Sequence, residues 1–204
     1  MKHSNVILCD SFFSLEKSDE YFVYLKKNIK WKQESMMMYG KKMNFARLTS
    51  WYGEDGKSYK FSGIKLTPNN WDLLEPLYQI RKEVEIECGT EFNSVLLNYY
   101  RNGQDSISWH SDNEKEFGDE PTIASVSFGC ERIFKMRQYY DKSDVHNLTL
   151  KHGSLLIMAG ETQKYWQHSI PKQKLINKNN EIGLFDSNIE NGVERINLTF
   201  RKVI

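Results

Sequence analysis

The chain has 204 residues, enough to bury a sizeable core in one compact unit. Its 28 Lys and Arg stand against 27 Asp and Glu, so no global field draws it to nucleic acid and any binding face must be local. Three scattered cysteines without a Cys-x-x-Cys pair, and no apolar run approaching a membrane span, argue against a secreted disulfide scaffold or a spanning protein; a reducing interior, cytoplasmic or nuclear, is expected.

Along the chain, Ser18 reads as the cap of a helix in which Tyr21, Phe22, Leu25 and Ile29 follow helical spacing, with Lys26, Lys27, Lys30 and Lys32 on or near its solvated side. Met36-Met-Met-Tyr-Gly40, followed by Lys41-Lys42, reads as a hairpin tip. Gly40 permits the tight turn, and Met38 and Tyr39 beside cationic charge have the character of wedges that unstack bases. An ordinary hairpin whose methionines cover core fits the same residues. Leu73, Leu77, Ile80 and Val84 repeat the helical pattern, and both helices are expected to buttress a sheet from outside.

Val95-Leu-Leu-Asn-Tyr-Tyr100 then reads as a strand, with Asn98 and Tyr100 on the face of Leu96 and able to hydrogen-bond a polar ligand. In Trp109-His-Ser-Asp112, strand alternation aims His110 and Asp112 at one point while Ser111 faces elsewhere. Such a triplet alone arises by chance, but His168 in Gln167-His-Ser169 can complete a set of two imidazoles and one carboxylate. That set occupies one face of an octahedral Fe(II) and leaves open positions for a chelating cosubstrate and O2. In the closing run Arg195-Ile-Asn-Leu-Thr-Phe-Arg201, period-two alternation puts Arg195, Asn197, Thr199 and Arg201 on one face. Guanidinium groups match carboxylates in a bidentate fork, so this face suits a dicarboxylate such as 2-oxoglutarate. On this run alone an exposed edge strand with a solvated basic face fits equally; the metal residues decide for the dicarboxylate.

Leu97-Asn-Tyr-Tyr-Arg-Asn-Gly103, His110-Ser-Asp-Asn-Glu114, Ile123-Ala-Ser-Val-Ser-Phe-Gly129, His152-Gly-Ser-Leu-Leu156 and the closing run together resemble the AlkB family of nucleic-acid demethylases. Arg47-Leu-Thr-Ser-Trp-Tyr-Gly53 and Ser58-Tyr-Lys-Phe-Ser-Gly63 extend the similarity over roughly residues 36 to 204. The resemblance implies a mainly β fold with flanking helices around a double-stranded β-helix, or jelly roll. It implies Fe(II) held by His110, Asp112 and His168 as the catalytic group, and 2-oxoglutarate held by Asn98, Tyr100, Arg195 and Arg201, with Asn197 and Thr199 in the same motif. It further implies O2-dependent oxidation of an N-methyl group on a damaged base such as 1-methyladenine or 3-methylcytosine, releasing formaldehyde, succinate and CO2. Tyr39 falls where relatives place an aromatic finger, between Met38 and Gly40. Arg47 resembles a DNA-contacting arginine, Phe61 the aromatic that stacks on a flipped base, and Tyr59 is its companion on the same strand face.

Two departures stand out. Asn113 replaces a second acid that several relatives carry after His-x-Asp, which changes what the base edge would meet, and Glu114 is placed to compensate. Residues 172–194, rich in Asn, Lys and Glu, read as an inserted surface loop. The expected organisation is one domain over residues 1–204 with an N-terminal helix and a nucleotide-recognition hairpin region at about 34–63. Its expected substrate is alkylated DNA, duplex or single strand, or RNA, and its expected state a monomer without a membrane. The competing readings are the same chemistry on methylated RNA or a protein side chain, and a non-catalytic nucleic-acid-binding jelly roll.

Overall fold

The computed structural model describes residues 1–38, 40–54, 59–61, 64–66, 68–71, 74–174 and 193–204, and of residues 38, 59–61 and 64–66 the backbone alone. In chain order the first half carries β1 (Asn5–Cys9), α1 (Leu15–Asn28), β2 (Ser35–Met38), β3 (Lys41–Asn44), β4 (Leu48–Gly53), β5 (Tyr59–Phe61), β6 (Ile64–Leu66) and α2 (Glu75–Cys88). The second half carries β7 (Ser94–Tyr100), β8 (Ile107–His110), β9 (Ile123–Gly129), β10 (Arg132–Gln138), β11 (Val145–Leu150) and β12 (Ser154–Ala159). A one-turn α3 (Thr162–Tyr165), β13 (Trp166–Ile170) and β14 (Arg195–Arg201) close it. Among the described residues no helix is long and apolar enough to cross a membrane.

The strands form a six-stranded sheet in the order β1-β12-β9-β14-β7-β4 and a four-stranded sheet in the order β11-β10-β13-β8, every pairing antiparallel. Strands distant in sequence lie side by side, as in the jelly roll, and α1 and α2 pack outside the larger sheet. The last strand shows why. Ile196, Leu198 and Phe200 enter a core with Phe22 and Leu25 of α1 and with Leu77, Ile80 and Val84 of α2. All three are fully buried, worth about 1.5–3 kcal/mol each. A second core, with Tyr100, Phe134, Leu156, Met158, Trp166 and Ile170, joins side chains of both sheets. The polar face of β14 is thus turned between the sheets, where Arg195, Asn197, Thr199 and Arg201 are all buried.

The first helix begins one turn earlier than the serine pattern suggests. Ser14 is extended and its side chain accepts from the Lys17 N–H, whereas Ser18 lies inside the helix, buried, with its Oγ donating to the Ser14 carbonyl at 2.7 Å. In α2, Leu77, Ile80 and Val84 are buried as expected, and Leu73 lies outside the described residues. The hairpin forms where expected: Met38 pairs with Lys41, and Gly40 takes the left-handed conformation of a tight turn at φ 73°. Tyr39 itself lies outside the described residues.

His152 is a structural histidine. Its Nδ1 accepts the Gly129 N–H at 2.7 Å and its Nε2 faces Asp19 at 3.2 Å. Burial holds its pKa below the usual 6.5 despite the pull of Asp19. The unfolded chain therefore takes up a proton first as pH falls. Stability is expected to be flat above about pH 7 and to fall through about pH 6.5 and below. Denaturant melts between about pH 5 and 8 should show this slope, to which the buried His110 and His168 also contribute, and His152→Gln should make it shallower without abolishing it.

Candidate active site

β13 and β8 bring two histidines face to face: His168 and His110 are register partners, with ring centroids 4.2 Å apart. Asp112 follows just beyond the end of β8, in irregular backbone rather than on the expected strand, and is 1 % exposed. Its Oδ1 lies 3.9 Å from His110 Nε2 and its Oδ2 4.0 Å from His168 Nε2. One ligand atom from each of the three lies within 4.8 Å of the others. His110 Nδ1 is engaged by the Ser108 carbonyl at 2.8 Å, which leaves Nε2 for a metal. Asp112 Oδ1 is buried without a hydrogen-bond partner. An orphaned carboxylate oxygen beside two free imidazole nitrogens fits a divalent cation of the Fe(II) kind.

The electrostatics suit the same purpose. Burial alone would raise the Asp112 pKa, but the Arg201 guanidinium, donating to Oδ2 at 2.9 Å, and the two imidazoles hold it well below the carboxylate range. Burial and the neighbouring His110 push His168 down to about 3 against the attraction of Asp112, and burial also lowers His110. Both imidazoles are therefore neutral near pH 7 and offer lone pairs, while the carboxylate is charged.

Two hydrogen bonds that sequence reasoning missed tie the ligand triplet to the connector before His168. Ser111 Oγ donates to the Trp166 carbonyl at 2.9 Å, and the Asp112 N–H donates to Gln163 Oε1 at 2.9 Å. Gln163 is 2 % exposed and its amide also reaches Met158 Sδ at 3.5 Å. Replacing Gln163 with leucine strands the Asp112 N–H, and metal affinity is expected to drop by about 10–100-fold. Titration with Co(II), followed in the visible spectrum, measures this, and Gln163→Glu should retain most of the affinity through its own acceptor oxygen.

Asn98, Tyr100, Arg195, Asn197, Thr199 and Arg201, all expected to hold a cosubstrate, line one cavity together with the three ligands. Arg195 Nη2 donates to Ser127 Oγ at 2.9 Å, but its Nε and Nη1 are buried without a partner. Burial pulls Arg195 down to about 10, still cationic at neutral pH. Asn197 Nδ2 donates to Ser125 Oγ and the Val126 carbonyl, and Thr199 Oγ1 donates to Asn197 Oδ1 at 3.0 Å. The two arginines thus stand at opposite ends of β14, one beside the ligand carboxylate and one with open donors.

A larger groove of about 390 Å³ opens on the same histidine. Met36 and Met43, cross-strand partners in the hairpin, form its apolar part with Phe45, and Arg47, Trp109, His110 and Glu114 complete the lining. Arg47 is 5 % exposed, its Nε donating to Asn98 Oδ1 at 2.7 Å and its guanidinium lying 5.1 Å from the Phe45 ring centroid. The expected DNA-contacting arginine is thus built into the wall between groove and cavity. Glu114 lines the groove whereas Asn113 is exposed and does not. Glu114 Oε2 is buried without a partner, and burial followed by the Asp112 charge raises its pKa. Tyr59 and Phe61 lie on β5, with side chains outside the described residues, as is that of Met38.

With this geometry in hand, comparison with known proteins is specific. Residues 5–201 match the 2OG-Fe(II) oxygenase superfamily. The bovine alpha-ketoglutarate-dependent dioxygenase alkB homolog 3 is 38 % identical over 98 % of this chain and 66 % of its own length. The DNA oxidative demethylases ALKBH2 of Arabidopsis thaliana and Homo sapiens are 34 % and 35 % identical over 98 % and 94 % of this chain and 67 % and 71 % of their own. The chain thus spans about two thirds of the length of such relatives. The solved structure of OsALKBH1 superposes over 97 % of both chains at TM-score 0.63 and 15 % identity, a likeness of fold. A fold carrying two histidines, a buried carboxylate and an arginine-lined cavity, matched over almost its whole length, places this chain in the 2OG-Fe(II) oxygenase superfamily and, within it, in the AlkB family.

Proposed function

We propose that the protein reverses N-alkyl damage such as 1-methyladenine and 3-methylcytosine in DNA by oxidative demethylation, dependent on Fe(II), 2-oxoglutarate and O2. The observation that carries this reading is the apolar, methionine-walled groove of about 390 Å³ that shares His110 with the arginine-lined cavity. That volume lies within the range of small-ligand pockets. When bound at His110, Asp112 and His168, Fe(II) with the cosubstrate and O2 supplies the oxidising power for an N-methyl carbon, and formaldehyde, succinate and CO2 leave.

The chain's own residues divide the remaining work. Arg195 receives one carboxylate of 2-oxoglutarate through its open Nε and Nη1, while Asn98, Tyr100 and Asn197 orient the rest of the molecule. Arg201 keeps the Asp112 carboxylate charged and fixed. The Met36, Met43 and Phe45 wall excludes water and grips a flipped base, whose edge meets Glu114. A base inside a duplex cannot reach a buried metal, so the hairpin region at about 34–63, with Met38, Tyr39 and Gly40 at its tip, serves to open the stack, Lys41 and Lys42 supply the local positive charge at the surface, and Arg47 lines the groove that the base enters. The protein works as one domain, as a monomer, inside the cell.

A panel of oligonucleotides carrying 1-methyladenine or 3-methylcytosine as duplex DNA, single-stranded DNA and RNA tests this, with Tyr39→Ala beside the native protein. Repair of duplex DNA that falls at least about tenfold in the variant while single-strand repair is kept supports a duplex enzyme with a finger. Equal duplex repair by both proteins removes the finger role from Tyr39, repair confined to single strands or RNA moves the substrate there, and no repair of any oligonucleotide rejects the nucleic-acid reading.

A further inference from the structure

The cavity holds more positive charge than the residues lining it supply. Arg132 opens β10 and is 0 % exposed; Arg195 opens β14 and is 1 % exposed. The two guanidinium carbons lie 5.4 Å and 5.2 Å from the centroid of one ring, that of Tyr100. Tyr100 and Arg195 line the cavity, whereas Arg132 stands behind them. Its Nη2 donates to the carbonyls of Asp105 at 2.8 Å and Pro171 at 2.7 Å, its Nη1 to that of Asn102 at 3.3 Å, and its Nε is buried without a partner. The Asp105 carboxylate makes no ion pair with it, since both its oxygens are taken by Arg101, at 2.7 Å and 2.9 Å, and it acts on Arg132 only as a more distant, shared charge.

Among the described residues, neither Arg132 nor Arg195 makes an ion pair with a carboxylate. Two buried cations around one ring, neither paired with a carboxylate among the described residues, are costly by desolvation and by mutual repulsion, which the distant Asp105 charge offsets only in part, and Arg132 is one of the influences that lower the Arg195 pKa. Polar carbonyls satisfy most of the Arg132 donors but cancel no charge. What removes the cost is an anion delivered to the open Nε and Nη1 of Arg195. In a low-dielectric interior, a second cation one ring away adds to that attraction without touching the ligand.

We propose that Arg132 is a specificity-determining positioning residue of the cosubstrate site: its charge, acting behind Tyr100 and Arg195, makes the protein select a 2-oxo diacid over a 2-oxo acid with a single carboxylate. The proposal rests on the reading of this cavity as the 2-oxoglutarate site. A purely structural clamp, holding the segments at Asn102, Asp105 and Pro171, would affect both kinds of acid alike.

The test is anaerobic calorimetry on the Fe(II)-loaded protein with 2-oxoglutarate and with 2-oxopentanoate, for the native protein, Arg132→Gln and Arg132→Lys. Glutamine keeps amide donors for the carbonyls and loses the charge; lysine keeps the charge. Arg132→Gln is expected to weaken 2-oxoglutarate by about ten- to thirty-fold and 2-oxopentanoate by less than about twofold, while Arg132→Lys keeps most of the preference. The ratio is internal to each preparation, so a loss of folded protein cancels. Equal weakening of both acids, or no change in either, overturns the proposal while leaving the cavity assignment intact. A native protein that shows no preference for the diacid overturns the cavity assignment, and the proposal falls with it.

Discussion

Replacing Asp112 with alanine is expected to lower demethylation by at least about a thousandfold and to cost the metal-free protein about 3–5 kcal/mol of stability. Both effects follow from one side chain. Asp112 is the only anion among the three candidate ligands, and its Oδ2 receives Arg201 Nη2 at 2.9 Å, both side chains being almost wholly inaccessible. Alanine removes the charge that a divalent cation needs and leaves the Arg201 cation buried beside two neutral imidazoles. Single-turnover assays report the first loss and denaturant melts without metal the second. Asp112→Asn keeps the shape but not the charge, and should lose activity to a similar degree while unfolding more readily than the native protein. Undiminished activity in either variant would remove Asp112 from the metal site.

Arg201→Ala should show a double defect. On the sequence alone this arginine reads as a cosubstrate residue whose loss mainly weakens the use of 2-oxoglutarate. In the structure it also holds Asp112, and it shares the cavity with Arg195. The variant is therefore expected to raise KM for 2-oxoglutarate and weaken metal binding together, each by about 2–4 kcal/mol, or roughly 30- to 1000-fold. Arg195→Ala, six residues earlier on β14 and bonded to Ser127, should disturb 2-oxoglutarate alone. Arg201→Lys restores the charge without the planar fork and should recover the metal affinity more than the cosubstrate affinity. Metal titration in the absence of 2-oxoglutarate separates the two; unchanged metal affinity in Arg201→Ala would show that the contact with Asp112 is idle.

The parts of this site that could be read in advance are those governed by local periodicity. Arg195 to Arg201 alternate with Ile196, Leu198 and Phe200, and the structure sorts them into two environments as period two requires. His110 and His168 were legible by residue type, and antiparallel register sets them opposite each other. The strand argument stops at His110, because the backbone leaves β8 there, so alternation no longer says which of Asn113 and Glu114 enters the groove. Gln163, Phe45, Met43 and Arg132 could not be found that way, since each reaches the site through contacts with segments far from it in sequence. The start of α1 failed for a smaller reason: Ser14 and Ser18 are one turn apart, and only the extended backbone at Ser14 identifies the cap.

The most direct measurement loads the protein with Fe(II) without oxygen, then adds O2, 2-oxoglutarate and an oligonucleotide carrying 1-methyladenine, and follows base and succinate together by mass spectrometry. Loss of the methyl mass in step with succinate formation, and absent in Asp112→Ala, is the expected result. Succinate without repair would keep the oxygenase and reject this substrate, whereas neither product from a protein shown to bind Fe(II) and 2-oxoglutarate would contradict oxidative demethylation and leave a binding module.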